Sequence, residues 1–309
     1  MGQPAIGLIG RRAPMTRRNS RHEANNGRER TMKTQVVDAH QHFWDIGRFK
    51  YWWLTPERKV LRRNFLPEDL KPLLARTGIQ LALAVQAHPS LAETNWLLDL
   101  ASRNDFMAGV IGWVNLASRT VGKDLENLQQ HPKFKGIRHP IEAEPDDTWM
   151  LRSDVLAGFR ELERRGIPFD LVIYPRHVKY LPRLRDKCPR LKLVIDHLAL
   201  PPIAEKRMDE WDRDMESVSR LPDVWCKLSG MITRANPKNW KPADLKPYVE
   251  LVVSQFGYDR LIFGSDWPIC NLAGSYLQVV DALRIVLGSI NKEEAAQVWG
   301  GSAQRFYQL

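Results

Sequence analysis

Short apolar runs recur along this chain, and several of them end in a polar residue. The first is Val36-Val37-Asp38-Ala39-His40-Gln41-His42, and the last is Leu261-Ile262-Phe263-Gly264-Ser265-Asp266. Six more lie between them, at residues 81–86, 109–114, 136–139, 169–174, 191–197 and 224–229. Most are separated by about 20–35 residues, the length of one strand-plus-helix unit. Eight such units across about 250 residues predict an α/β protein, a closed (β/α)8 TIM barrel. The runs are nearly continuous in apolar residues, as expected of strands covered by helices. Between them the period lengthens to that of helices. Pro67-Glu68-Asp69 opens one with Leu70, Leu73 and Leu74 on one face and Gly78 after it. Ser153-Asp154 opens another, with Val155, Leu156, Phe159 and Leu162 on one face and Gly166 as its stop. Residues 242–257 carry Leu245, Tyr248, Val249, Val252 and Val253 before Gly257, and Asn291 stands where it can cap a last helix.

The strand pattern places chemical groups. Residues two apart on a strand point to one side, so His40 and His42 converge. In a closed barrel the first and last strands are neighbours, which lets Asp266 face both histidines. His197 ends the 191–197 run. All four sit at C-terminal strand ends, the rim where barrel active sites lie. Imidazole nitrogen and carboxylate oxygen suit a divalent ion such as zinc. The same groups can instead hydrogen-bond a carbonyl and accept a proton. Asp196, one residue before His197, is predicted to point the opposite way and to pack behind the site.

Composition narrows the field. The chain has 309 residues, 43% hydrophobic and 27% charged, an ordinary globular mixture. No stretch approaches the roughly 20 apolar residues that span a bilayer. The three cysteines, Cys188, Cys226 and Cys270, show no CxxC spacing. A reduced, cytoplasmic protein is expected, with Cys226 and Cys270 as buried small hydrophobes. The net charge is +10, but residues 1–34 hold eight basic and two acidic residues, a net +6 that leaves +4 for the rest. That segment has no apolar period and is expected to be a disordered basic N-terminal extension, with the functional chain starting near Met32. Residues 35–309 are expected to form the barrel. With the charge outside the barrel and no reading motif in sight, neither a nucleic-acid nor a membrane partner is expected.

The residues also resemble a known family. Asp38-Ala39-His40-Gln41-His42-Phe43-Trp44, Asp196-His197-Leu198-Ala199 and Gly264-Ser265-Asp266-Trp267-Pro268 resemble the amidohydrolase superfamily. The chain looks most like its sugar-lactonase branch, of L-fuconolactonase and L-rhamnonolactonase type. That likeness rests on Leu61-Arg62-Arg63-Asn64-Phe65-Leu66-Pro67-Glu68-Asp69-Leu70, Gly136-Ile137-Arg138-His139, Leu171-Val172-Ile173-Tyr174-Pro175-Arg176 and Trp225-Cys226-Lys227-Leu228-Ser229-Gly230, and it covers about residues 35–309. The resemblance implies hydrolysis of a small sugar (aldono)lactone, L-fuconolactone-like, within L-fucose degradation. A metal-dependent decarboxylase of the same superfamily and an inactive binding barrel are the alternatives. Two-metal members carry a carboxylated lysine at the end of strand four. Here that strand ends in Arg138-His139, with Lys135 before it, which argues against a binuclear centre. Either no metal is required, or one divalent ion sits on His40, His42, His197 and Asp266.

Lactone hydrolysis needs a polarised ester carbonyl and a water that loses a proton. Asp266 is the expected general base. His40, His42 and His197 are expected to stabilise the oxyanion, through a metal or by donating hydrogen bonds directly. Gln86, Arg138, His139 and Arg176 at other strand ends are expected to bind the sugar hydroxyls, and Trp44, Trp113 and Trp267 to offer flat faces to the ring. His177 stands where the lactonase branch is expected to have Gln.

Overall fold

The computed structural model describes Gly2 and residues 35–309. The expected N-terminal extension, including the start near Met32, lies outside the described residues. Eight parallel strands run in the order of the chain: β1 (Val37–Gln41), β2 (Leu81–Val85), β3 (Met107–Gly112), β4 (Phe134–Pro140), β5 (Phe169–Val172), β6 (Leu193–Ile195), β7 (Val224–Leu228) and β8 (Leu261–Phe263). Each pairs with the next, and helices lie between them. The seam between β8 and β1 closes at the rim. There the Asp266 N–H donates to the His40 carbonyl at 2.8 Å, and the His42 N–H donates to the Trp267 carbonyl at 2.7 Å. The predicted helices form at Pro67–Thr77, Ser153–Arg165 and Pro242–Phe256, and Asn291 caps Lys292–Ala296 by accepting from the Glu294 N–H.

Two apolar layers hold the barrel. The larger packs the outer strand faces against the helices. The inner one fills the barrel with Val37, Ala39, Leu83, Val85, Ile111, Val194 and Ile262, met by Phe306 and Tyr307 of the final helix, Ser302–Tyr307. All three cysteines are buried and free, and burial raises their thiols. No helix among the described residues is long and apolar enough to cross a membrane.

One sequence expectation needs correction. The predicted runs end at Tyr174, His197, Ser229 and Asp266, but the strands stop one to three residues earlier. The backbone leaves the ladder in left-handed conformations: His197 has φ 54°, Gly230 has φ 61° and Asp266 has φ 56°. Residues 197–200 are four in a row with positive φ. Asp196 and His197 therefore do not alternate, and both side chains face the barrel axis.

Candidate active site

Strand β1 and the turns after β6 and β8 bring His40, His42, His197 and Asp266 together, all buried. The His40 and His42 Nε2 atoms are 3.2 Å apart. One Asp266 oxygen, Oδ1, lies 3.5 Å from His42 Nε2, 3.9 Å from His40 Nε2 and 4.0 Å from His197 Nε2. Two glycines make this proximity possible. A Cβ on Gly264 would stand 2.5 Å from His40 Cβ, and one on Gly230 would stand 2.6 Å from the His197 ring. Any side chain there would push a histidine out of place.

Each ring is held from behind. His42 Nδ1 is 2.8 Å from the Val85 carbonyl, which can only accept, so Nδ1 carries the hydrogen. His197 Nδ1 is 2.8 Å from the Ser229 hydroxyl. Burial lowers the His42 and His197 rings below the ordinary histidine value and His40 well below it, with Asp196 pulling the other way at His40. The three rings are therefore neutral near pH 7. As a neutral ring, His42 presents a lone pair at Nε2. Direct donation from all three histidines, expected from the sequence, fails at His42, whose Nε2 has no hydrogen, and at His40, whose Nε2 is engaged with that of His42.

Beneath His40 lies a charged set that the sequence reading passed over. Lys227 Nζ, on β7, donates to Asp170 Oδ2 at 2.5 Å and contacts His40 Nδ1 at 3.1 Å. Asp196 Oδ1 is 3.0 Å away as an ion pair, though neither Asp196 oxygen has an aligned hydrogen bond. The Tyr307 hydroxyl donates to Asp170 at 2.9 Å. Burial raises the Asp170 carboxyl to about 6 against the pull of Lys227. Burial also works against the Asp196 charge, but Lys227 and His40 outweigh it and hold that carboxyl well below its usual range. On the other side of His40, Asp38 accepts from the Ser265 N–H at 2.9 Å and from the Tyr276 hydroxyl at 3.1 Å, stitching the β8–β1 seam.

A cavity of about 580 Å³ opens over these groups. Of the residues expected from the sequence, His42, His197, Asp266, Gln86 and Arg138 line it, while His40 is fully buried behind them. Arg138 reaches the Gln86 carbonyl, lies 3.8 Å from Asp196 and leaves its buried Nε without a partner. The other expected substrate contacts lie elsewhere. His139 is sandwiched between Trp113 and Trp149, accepts from Trp113 Nε1 at 3.0 Å and meets Glu144 at 2.7 Å, so both ring nitrogens are used. It neighbours inward-facing Arg138 on β4 and points the other way. Trp44 and Trp267 are core residues packed with Phe65, and Arg176 pairs with Asp147 outside the cavity. His177 also pairs with Asp147. The aromatic wall comes instead from Trp52 and Trp53 in the loop after β1, and Tyr174 follows β5. Glu142 also lines the cavity; its Oε2 is buried with no hydrogen-bond partner, and burial raises its carboxyl to about 7 against the pull of Arg138.

The donor set fits one divalent ion. His40, His42 and Asp266 offer three ligand atoms, and a second triad of His40, Asp196 and His197 shares His40. Two nitrogens sharing a tetrahedral zinc at about 2.0–2.1 Å stand roughly 3.3 Å apart, close to the observed 3.2 Å between the Nε2 atoms. Lys135, at the start of β4, turns away and donates to the Gln308 carbonyl at 2.9 Å.

A (β/α)8 barrel with this histidine and aspartate set at its rim is an amidohydrolase-type enzyme. The family model for amidohydrolases matches residues 37–309, and the chain belongs to that family. It is close to the sugar-lactonase branch. An L-fucono-1,5-lactonase from Burkholderia ambifaria is 38% identical over 286 residues, covering 88% of this chain and 95% of that protein. One from Burkholderia multivorans is 32% identical, covering 88% and 96%. An amidohydrolase from Burkholderia multivorans, crystallised with bound zinc, superposes with a TM-score of 0.84 at 30% identity, covering 89% of this chain and 99% of that one.

Proposed function

We propose that this amidohydrolase opens a sugar aldonolactone to its aldonic acid, with L-fuconolactone-like substrates first. The observation that carries this reading is Asp266 Oδ1 within 4.0 Å of three histidine Nε2 atoms beneath a cavity that Gln86 and Arg138 also line. Asp266 takes a proton from water as the water oxygen bonds to the lactone carbonyl carbon. The carbonyl oxygen becomes an oxyanion, which accepts a hydrogen bond from His197 Nε2–H. Such preorganised donors contribute about 3–4 kcal/mol each in comparable sites. Asp266 then returns the proton to the ring oxygen as the carbon–oxygen bond breaks. A divalent ion bound on His40, His42 and Asp266 would polarise the same carbonyl.

Arg138, Gln86 and Glu142, which all line the cavity, supply donors and an acceptor for the sugar hydroxyls. Trp52, well exposed at the mouth, offers an apolar face to the ring. A site built to pair hydroxyls rejects analogues that lack them, because its own groups are then left unpaired. A panel of five- and six-membered aldonolactones, assayed for acid release, tests the reading. The expected result is turnover of L-fucono-1,5-lactone or a close stereoisomer above unsubstituted lactones. Equal turnover of unsubstituted rings, or none of any lactone, contradicts it.

A further inference from the structure

His42 and His40 face each other through Nε2 at 3.2 Å. The Val85 carbonyl fixes the hydrogen of His42 on Nδ1, so its Nε2 presents a lone pair to His40. A second lone pair on His40 Nε2 would repel it. Either a cation shared by the two nitrogens or a hydrogen on His40 Nε2 relieves that repulsion. The neighbours of His40 Nδ1 decide between them. A hydrogen on Nε2 needs a donor at Nδ1, whereas a metal-binding lone pair on Nε2 needs an acceptor there. Both kinds of group are present. Lys227 Nζ is 3.1 Å away in hydrogen-bond geometry. Asp196 Oδ1 is 3.3 Å away but off the hydrogen-bond axis.

We propose that Lys227 is a positioning residue: its ammonium donates to His40 Nδ1 and keeps the His40 hydrogen on Nε2, where it bonds the His42 Nε2 lone pair 3.2 Å away, so that the two rings are locked to each other at the expense of metal affinity. This deepens the lactonase reading and rests on it for the reaction that the locked pair serves. A buried lysine needs a reason to stay in place. Asp170 and Asp196 give it one, and Tyr307 anchors Asp170 from the final helix. Bound this way, the ammonium presents a hydrogen where a metal-ligating His40 would also carry one. Binding a cation through His40 then requires Lys227 to give way.

The test uses the full-length chain labelled with ¹⁵N-histidine, with its metal content measured as purified and after dialysis against a chelator. The chelated wild type is expected to show the His40 hydrogen on Nε2, with its Nδ1 signal shifted by an accepted hydrogen bond, and to keep its kcat. Lys227→Met frees Nδ1–H to turn to Asp196. It should move the hydrogen to Nδ1, bind zinc about tenfold or more tightly by calorimetry, and lower the metal-free kcat by about 10²-fold with KM little changed, as the unlocked rings lose their placement beside Asp266. Should that variant fail to fold, Lys227→Met with Asp170→Asn removes one of the two buried carboxylates and allows the same measurements. A wild-type His40 with its hydrogen on Nδ1, or variants with unchanged tautomer and zinc affinity, overturns the proposal. If no aldonolactone is hydrolysed, the function reading fails, while tautomer and zinc affinity still decide the role of Lys227.

Discussion

Two buried carboxylates flank His40, and they are held in opposite ways. Among the described residues no cation pairs with Asp38; backbone N–H groups and the Tyr276 hydroxyl satisfy it, and burial raises its carboxyl to about 6. Asp196 is equally buried but sits against Lys227, His40 and Arg138, and is held well below its usual range. The first carboxylate is a seam clamp that tolerates a proton. The second is a counter-charge shared by two cations. Burial alone therefore does not fix what an acidic group does; the charge of its neighbours does.

The largest way to break this comparison is Asp196→Ala. It leaves Lys227 and Arg138 without their shared partner, and a loss of about 3–5 kcal/mol in urea unfolding is expected. A cost under about 1 kcal/mol would mean that Asp196 is no counter-charge. The second way uses pH. The folded Asp38 carboxyl is raised from 3.8 to about 6, so its stabilisation is complete below the lower value and is lost as pH rises through the upper one. Asparagine at 38 does not titrate. The stability deficit of Asp38→Asn should therefore shrink by about 1–3 kcal/mol between pH 4 and pH 7. For Asp196, held low, the contribution is present above the unfolded value of 3.8 and lost as pH falls further. The deficit of Asp196→Asn should stay full from pH 7 to about pH 4 and shrink only below that. Parallel pH profiles for the two variants would erase the distinction.

The smallest expected effect concerns a third carboxylate, Glu142. Glu142→Gln keeps the shape but exchanges an acceptor for a donor. KM for a hydroxylated lactone should rise by about tenfold, with kcat nearly unchanged, as for lost binding common to ground and transition states. A fall in kcat at constant KM would place Glu142 at the reacting atoms instead.

Much of this was legible in the residues. The apolar runs carry the barrel because every strand is covered on its outer face. His40, His42 and Asp266 are readable because a polar residue ending an apolar run has few structural uses. Lys227 and Asp170 were passed over because each lies inside a run that otherwise reads as apolar. A charge in such a run was itself the signal, since it must find a partner within the barrel. Asp196 was assigned the wrong direction because alternation ends where His197 turns left-handed, a backbone event with no glycine to announce it. Tryptophans near the motifs were read as sugar platforms, but Trp44 and Trp267 seal the loop after β1 to the β8 turn, and Trp113 pins His139. Trp52, which does face the cavity, lies in a loop without any period to place it.

The central claim is that Asp266 moves the proton while His197 holds the carbonyl oxygen. The most direct measurement is kcat for the best aldonolactone with wild type and Asp266→Asn, compared at equal thermal stability. A loss of about 10²-fold or more is expected, with the variant folded and still binding the product acid. Unchanged turnover in the folded variant would contradict the account, whether or not a metal is bound.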